Sequence, residues 1–120
     1  MSATNSYIAR RPPKPLAVIT YTGAADAIDI RGADNFVLNR SGAVDAATLA
    51  PPTDVLDNGR VIWVRNGTTQ ANTITITEGL GGSGGSYDLL TFLAVVAANA
   101  VLQAYGGHWY LVGGYGITVS

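Results

Sequence analysis

The chain has 120 residues, the size of one ordinary domain, which leaves no room for a multidomain enzyme. Only 12% of its residues are charged, against about 25% in a typical soluble domain, while 48% are hydrophobic and 15 are glycines. Because charge normally keeps a surface soluble, this shortage predicts that other copies or another protein cover part of the surface. A net charge of −1 argues against nucleic acid as a partner, and the lack of cysteine excludes disulfides and thiolate sites.

Residues 1–15 form a basic, proline-rich segment, which we call the N-terminal arm. Three basic and no acidic side chains give the arm a local charge of +3, whereas residues 16–120 carry four basic and eight acidic ones. The three prolines of the arm favour an extended backbone, which predicts an arm that lies on a partner. No apolar signal sequence follows the arginines, so we expect the protein to stay in the cytosol where it is made.

From residue 16 onward, short β-branched and aromatic runs alternate with turn residues, a pattern typical of an all-β chain. In Thr73–Thr77 the strict alternation predicts that Ile74 and Ile76 face a core. Ten short strands indicate one compact antiparallel β-sandwich, barrel or prism over residues 16–120. The predicted strands are Ala17–Thr22, Ala27–Ile30, Asn35–Leu38, Ala43–Leu49, Arg60–Arg65, Asn72–Glu78, Tyr87–Leu93, Val101–Tyr105, His108–Val112 and Gly116–Val119.

Glycine dipeptides predict several tight turns between these strands. Asn58-Gly59 and Asn66-Gly67 supply positive-φ positions, and Gly106-Gly107 predicts a two-residue hairpin. The stretch Leu89–Val101 is open to two interpretations, because its apolar residues also fit the spacing of a short helix. It is too short and too polar to cross a membrane.

A dinucleotide-binding motif is one candidate for a functional site. Gly79, Gly81 and Gly84 form a G-x-G-x-x-G directly after a predicted strand. No Asp or Glu follows Asp88, however, so the acid that binds the ribose is missing. We therefore predict no nucleotide cofactor.

A hydrolase triad is a second candidate. Ser83 lies in a G-x-S-x-G motif, and Asp88 and His108 follow in the order of such a triad. Seven glycines and serines within residues 79–86 predict a flexible hairpin loop, which cannot hold a nucleophile in a strained turn. We expect no catalytic residue and no enzymatic activity.

Metal ligands are sparse in this sequence. His108 is the only histidine, and a single histidine beside a tryptophan is more often packed than ligated. Asp26, Asp29 and Asp34 lack the spacing of a calcium-binding loop, so turn capping explains them better. The sequence predicts no metal site.

Aromatic residues crowd the C-terminal third of the chain, where charge is absent beyond Asp88. Trp109 and Tyr110 must face opposite sides of a strand, so one aromatic set points out of a single sheet. Core packing is the alternative explanation for these side chains. An uncharged aromatic surface suits a subunit interface, for which the predicted residues are Trp63, Tyr105, Trp109, Tyr110 and Tyr115.

Three segments, Gly59–Gly67, Ala71–Ile76 and Val101–Gly116, resemble bacteriophage structural β-modules. In those modules a G-R-x-I-x-V-x-N strand precedes A-N-T-I-T-I and a last V-L-x-A-x-G-G-x-W-Y-L-V-G-G hairpin. The resemblance covers residues 59–116, about half of the chain. It implies a homotrimeric virion protein without enzymatic activity, either a capsid decoration (cement) protein or a module of a tail fibre or spike.

Length and the N-terminal arm favour the cement protein, since similar fibre proteins are longer and carry stalk repeats. The resemblance then implies a homotrimer on the outer surface of the virion, bound to the major capsid protein after synthesis in the host cytoplasm. A carbohydrate- or receptor-binding module, with tyrosines and tryptophans stacked on sugars, is the other alternative. The arm residues expected to contact the capsid are Tyr7, Arg10, Arg11, Pro12, Pro13 and Lys14.

Overall fold

The computed structural model describes residues 17–82 and 87–120, and these residues form an all-β fold, as predicted. A single 3₁₀ turn spans Val55–Asp57, and the described residues contain no α-helix. The strands are β1 (Val18–Tyr21), β2 (Asn35–Leu38), β3 (Ala46–Leu49), β4 (Val61–Asn66), β5 (Thr73–Thr77), β6 (Tyr87–Phe92), β7 (Asn99–Tyr105), β8 (His108–Tyr115) and β9 (Ile117–Val119).

The strands form two sheets, one with the order β1-β2-β4-β7-β8 and one with the order β3-β5-β6-β9. Their inward side chains make one core, which includes the predicted Ile74 and Ile76. Burying a side chain of this size contributes roughly 1.5–3 kcal/mol, which holds the two sheets together. The largest apolar residues of the core are Phe36, Leu38, Leu49, Ile62, Ile74, Ile76, Leu90, Phe92, Leu102 and Trp109.

From β1 to β5 the chain passes back and forth between the two sheets. Strands β1, β2 and β4 lie parallel in the first sheet, and β3 lies parallel to β5 in the second. Of the predicted strand Ala27–Ile30, only Ala27 pairs, in a parallel bridge with Thr48. The prediction of a wholly antiparallel fold is therefore wrong for this half. Alternation tells which face a residue takes, but not the direction of the neighbouring strand.

The second half of the chain is antiparallel. Strand β7 pairs with β4 and β8, and β6 pairs with β5 and β9. Gly106 and Gly107 join β7 to β8 with φ angles of 61° and 81°, which confirms the predicted hairpin. The stretch Leu89–Val101 contains strand residues on both sides of a turn at 93–98, so the helical alternative is wrong.

The glycines of the two Asn-Gly turns are required for different reasons. Gly59 has a φ of 86°, so its predicted positive-φ position is confirmed. Gly67 does not have a positive φ; a Cβ there would lie 2.7 Å from Cγ1 of Val37. Gly67 is thus required for close packing rather than for its φ angle.

An ion-pair network joins the loop before β2 to the 3₁₀ turn. The guanidinium of Arg31 donates to Asp57 Oδ1 at 3.2 Å and Oδ2 at 2.5 Å. Arg60 Nη2 donates to Asp34 Oδ1 at 2.7 Å and to the carbonyl of Ala33, also at 2.7 Å. Arg31 holds the pKa of the buried Asp57 below its usual value. These bonds fix the two loops at one end of the sandwich.

Candidate functional site

The outer face of the five-stranded sheet carries most of the exposed aromatic side chains. Every second residue of β4 and β7 is buried in the core, so the residues between them point outward. Trp63 is 56% exposed, Tyr105 66% and Tyr115 59%. We call this surface the aromatic face, and its exposed apolar residues are Val18, Val61, Trp63, Tyr105, Tyr110, Val112 and Tyr115.

Strand register places the outward side chains of this face in rows. Asn35 lies opposite Trp63, which lies opposite Val101 on the next strand. Arg65 is the only residue with a formal charge in the five strands of this sheet. The aromatic face is therefore nearly uncharged, with one cation within it.

Trp63 lies between two grooves on the aromatic face. The larger has a volume of about 350 Å³, near the lower end for small-molecule sites. The smaller, of about 260 Å³, lies against Asp34, Asn35 and Val61. The larger groove runs between Val18 of β1 and Trp63 of β4, with residues of β2 between them. Besides Trp63, it is lined by Val18, Asn35, Phe36, Val37, Arg65 and Asn99.

The tyrosines of the aromatic face differ in how firmly the chain holds them. A Cβ on Gly81 would lie 2.1 Å from Cζ of Tyr110, so the Tyr110 ring packs directly over that glycine. Tyr110 is accordingly only 37% exposed. Tyr105 and Tyr115 are more exposed, on neighbouring strands at opposite ends of the β7–β8 pair. Well over half of each of these two residues is exposed.

Trp109 points the other way, into the core. It is 0% exposed, and its Nε1 donates to the carbonyl of Ala50 at 2.8 Å. Trp109 has no surface to offer, so its place in the predicted interface is corrected to a core position. The other four residues predicted for that interface are all exposed on the aromatic face, spread along its strands; they are Trp63, Tyr105, Tyr110 and Tyr115.

The residues weighed for catalysis are not brought together by anything the structure describes. Asp88 Oδ2 accepts a hydrogen bond from the backbone N–H of Leu80 at 2.7 Å, a structural role. His108 is exposed at the start of β8. Ser83 lies outside the described residues, as do the arm residues Tyr7, Arg10, Arg11, Pro12, Pro13 and Lys14. Within residues 17–82 and 87–120, no three His, Asp or Glu side chains are grouped as a metal site would require.

A buried carboxyl group, that of Asp45, lies beside the half-buried Asp26 and was not among the predicted site residues. Asp45 is 0% exposed; its Oδ1 accepts from the backbone N–H of Asp26 at 3.2 Å, and its Oδ2 has no partner in the described part of the chain. Burial, together with the neighbouring Asp26 carboxyl, raises the pKa of Asp45 to about 6. The sequence does hold a signal, because Asp45 alternates in step with the inward residues Ala47 and Leu49.

Fold and surface together define a two-sheet β-protein whose described residues include a nearly uncharged aromatic face. Comparison of the chain with models of known protein families, with curated proteins and with solved structures found no match. In the described residues, no helix has the length and apolar character to cross a membrane.

Proposed function

We propose that the chain is a virion structural protein, a capsid decoration (cement) protein that binds the outer surface of a bacteriophage head as a homotrimer. The observation that supports this most is the aromatic face. It exposes Trp63, Tyr105 and Tyr115 on a sheet whose strands contain a single charged residue. Large aromatic side chains with little charge are enriched at the centres of protein interfaces.

Self-association through the aromatic face would compensate for the low charge of the chain. Trp and Tyr rings bury a large area while losing little side-chain entropy, so they commonly contribute most of the binding energy of an interface. Arg65 is the charged side chain available to an acidic group of a neighbouring subunit. We propose Trp63, Tyr105, Tyr110 and Tyr115 as the contacts between subunits.

The N-terminal arm is the part of the chain we propose to contact the major capsid protein. Arg10, Arg11 and Lys14 make it the basic part of an otherwise acidic chain, which suits an acidic patch on the capsid. Its prolines restrict the free arm, so binding costs less conformational entropy. A trimer fixed in this way would clamp neighbouring capsid subunits against internal DNA pressure by adding buried contact area.

Two sets of variants test this proposal. Tyr105→Ser with Tyr115→Ser should convert the trimer into a monomer in analytical ultracentrifugation. The matched control, Val55→Ser with Leu56→Ser, removes residues that are 74% and 87% exposed outside the aromatic face, and should leave the trimer intact. A monomeric wild-type protein would overturn the proposed assembly.

Capsid binding is tested separately by co-sedimentation with purified heads. Replacing Arg10, Arg11 and Lys14 with Gln should abolish binding while the protein stays trimeric. Binding should also weaken as the salt concentration rises, because it depends on exposed charges. Binding that survives both the substitutions and high salt would contradict a role for the arm.

A tail-fibre or spike module is the second candidate. The parallel strand pairing in the first half of the chain, β1 to β5, favours it. Among the described residues, strand β1 lies at the edge of the five-stranded sheet, where its outer backbone groups could accept another parallel strand. A sheet that can be extended by further parallel strands suits an elongated fibre. The number of copies in each virion distinguishes this candidate from the first.

A further inference from the structure

The larger groove beside Trp63 lies where the described chain begins. Val18, the first residue of β1, forms one wall of the groove and is 56% exposed. Trp63 forms the opposite wall and is equally exposed. The proline-rich end of the N-terminal arm, Pro12–Pro15, precedes Val18 by three to six residues.

Simple geometry allows this segment to reach the groove. A polyproline II backbone rises about 3.1 Å per residue, so three to six residues span roughly 9–19 Å. Val18 pairs with Asn35, and Asn35 pairs with Trp63. Two strand spacings of about 4.8 Å therefore separate Val18 from Trp63, roughly 10 Å in all. The segment is long enough to fold back across the sheet.

We propose that the groove binds Pro12–Pro15 of the same chain, with proline rings packed against the indole of Trp63. Aromatic-lined grooves are the usual binding sites of proline-rich segments, which leave their backbone carbonyls free to accept hydrogen bonds. The side-chain amides of Asn35 and Asn99 line the groove and can donate to those carbonyls.

The three-residue repeat of polyproline II makes this proposal specific. Residues three apart lie on the same side of such a helix, so Pro12 and Pro15 face the groove together. Pro13 and Lys14 face elsewhere, which keeps the Lys14 ammonium away from Arg65. Docking in this way needs neither a capsid nor a second copy, so it goes beyond the proposed function and does not depend on it. In the proposed trimer it places the arm, rather than a neighbouring subunit, over Trp63 and leaves Tyr105, Tyr110 and Tyr115 as the contacts between subunits.

Tryptophan quenching in the full-length protein tests the proposal. The chain has two tryptophans, and because Trp109 is 0% exposed, iodide reports mainly on Trp63. Pro12→Ser with Pro15→Ser should raise the quenching constant severalfold and shift the emission to longer wavelength. Pro13→Ser is the matched control and should stay close to the wild type. Val18→Ser, which alters the groove wall instead, should also expose Trp63.

Three results would overturn the proposal. One is a Trp63 that is already fully quenchable in the wild type, and another is an equal effect of Pro13→Ser. The third is shielding that persists in the double proline variant and disappears on dilution. That last result would place another copy over Trp63, and it would support the proposed trimer while removing the arm from the groove.

Discussion

The side-chain amide of Asn72 donates a hydrogen bond to Oδ1 of Asn66 where the chain crosses between the two sheets, and both residues are 0% exposed. Asn66 Nδ2 donates to the carbonyls of Gln70 at 2.8 Å and Val95 at 3.1 Å. Oδ1 of Asn72 accepts from the backbone N–H of Asp45 at 2.8 Å. One amide pair thus joins the crossovers that lead into β3, β5 and β7.

Asn66→Ala should lower the free energy of unfolding by about 3 kcal/mol, because it removes the donor to the carbonyls of Gln70 and Val95 and the shorter of the two hydrogen bonds of the Asn72 amide. Urea unfolding measures this loss. Asn99→Ala is the control, since Asn99 is only half-buried and, among the described residues, its side chain makes one hydrogen bond, to the carbonyl of Ala97 at 2.9 Å. Equal losses in the two variants would show that the amide pair is not a special structural feature.

The two tryptophans should respond differently to the same substitution. Trp109→Phe leaves a cavity in the core and removes the hydrogen bond to the carbonyl of Ala50. It should therefore lower the free energy of unfolding by about 2 kcal/mol. Trp63→Phe changes an exposed side chain, so its free energy of unfolding should stay within about 0.5 kcal/mol of the wild-type value. Chemical denaturation at a protein concentration where the chain is monomeric measures both. A large loss in Trp63→Phe alone would reverse our assignment of core and surface.

Asp45 should make the protein less stable as the pH rises. Its pKa is raised to about 6 from an ordinary value of 3.8, so between these values the folded state binds more protons than the unfolded chain. The stability that protonated Asp45 provides is therefore present in acid and lost as the pH rises through about 6. Asp26 opposes ionisation and Arg40 favours it.

Asp45→Asn removes this titration while keeping an acceptor for the backbone N–H of Asp26. The free energy of unfolding of the variant should be about 1–2 kcal/mol higher than that of the wild type at pH 8 and equal to it at pH 4. Unfolding measured across this pH range checks the prediction. Val55→Ser, at a non-titrating residue that is 74% exposed, is the control and should change the free energy of unfolding by the same amount at pH 4 and pH 8. A difference that does not change with pH would contradict the assignment.

Asp57 should have the opposite pH dependence. Its pKa is lowered by the hydrogen bond from Arg31, so its contribution is present above the ordinary value of 3.8 and is lost as the pH falls through the lowered value. Asp57→Asn should lower Tm by about 5–10 °C at pH 7, and this loss should become smaller as the pH falls below 3.8. Asp34→Asn removes a more exposed partner of Arg60 and should cost less. Thermal melts followed by circular dichroism compare the two, and equal shifts at pH 7 would contradict the special role of Asp57.

Local patterns were sufficient to predict much of the fold. The alternation of Thr73–Thr77 predicts β5 and its inward isoleucines, and Gly106-Gly107 predicts the last hairpin, because both depend only on neighbouring residues. The parallel pairing in the first half of the chain depends on which distant strands become neighbours, and alternation carries no information about that.

The candidate site was predictable only in part, for the same reason. Alternation separates Trp109 from Tyr110, but it does not tell which of the two faces the core. Asn66-Gly67 has the sequence of a turn, whereas the buried role of Asn66 depends on carbonyls 27 and 29 residues further along the chain. Contacts over such distances leave no signal in a local pattern.

The measurement that tests the proposed function most directly is the copy number of this chain in purified virions of the bacteriophage proposed to encode it, relative to the major capsid protein. A capsid decoration protein should be present in nearly stoichiometric amounts. A few to a few tens of copies per particle would contradict decoration and support the fibre or spike module. Complete absence from the particle would contradict a virion role altogether.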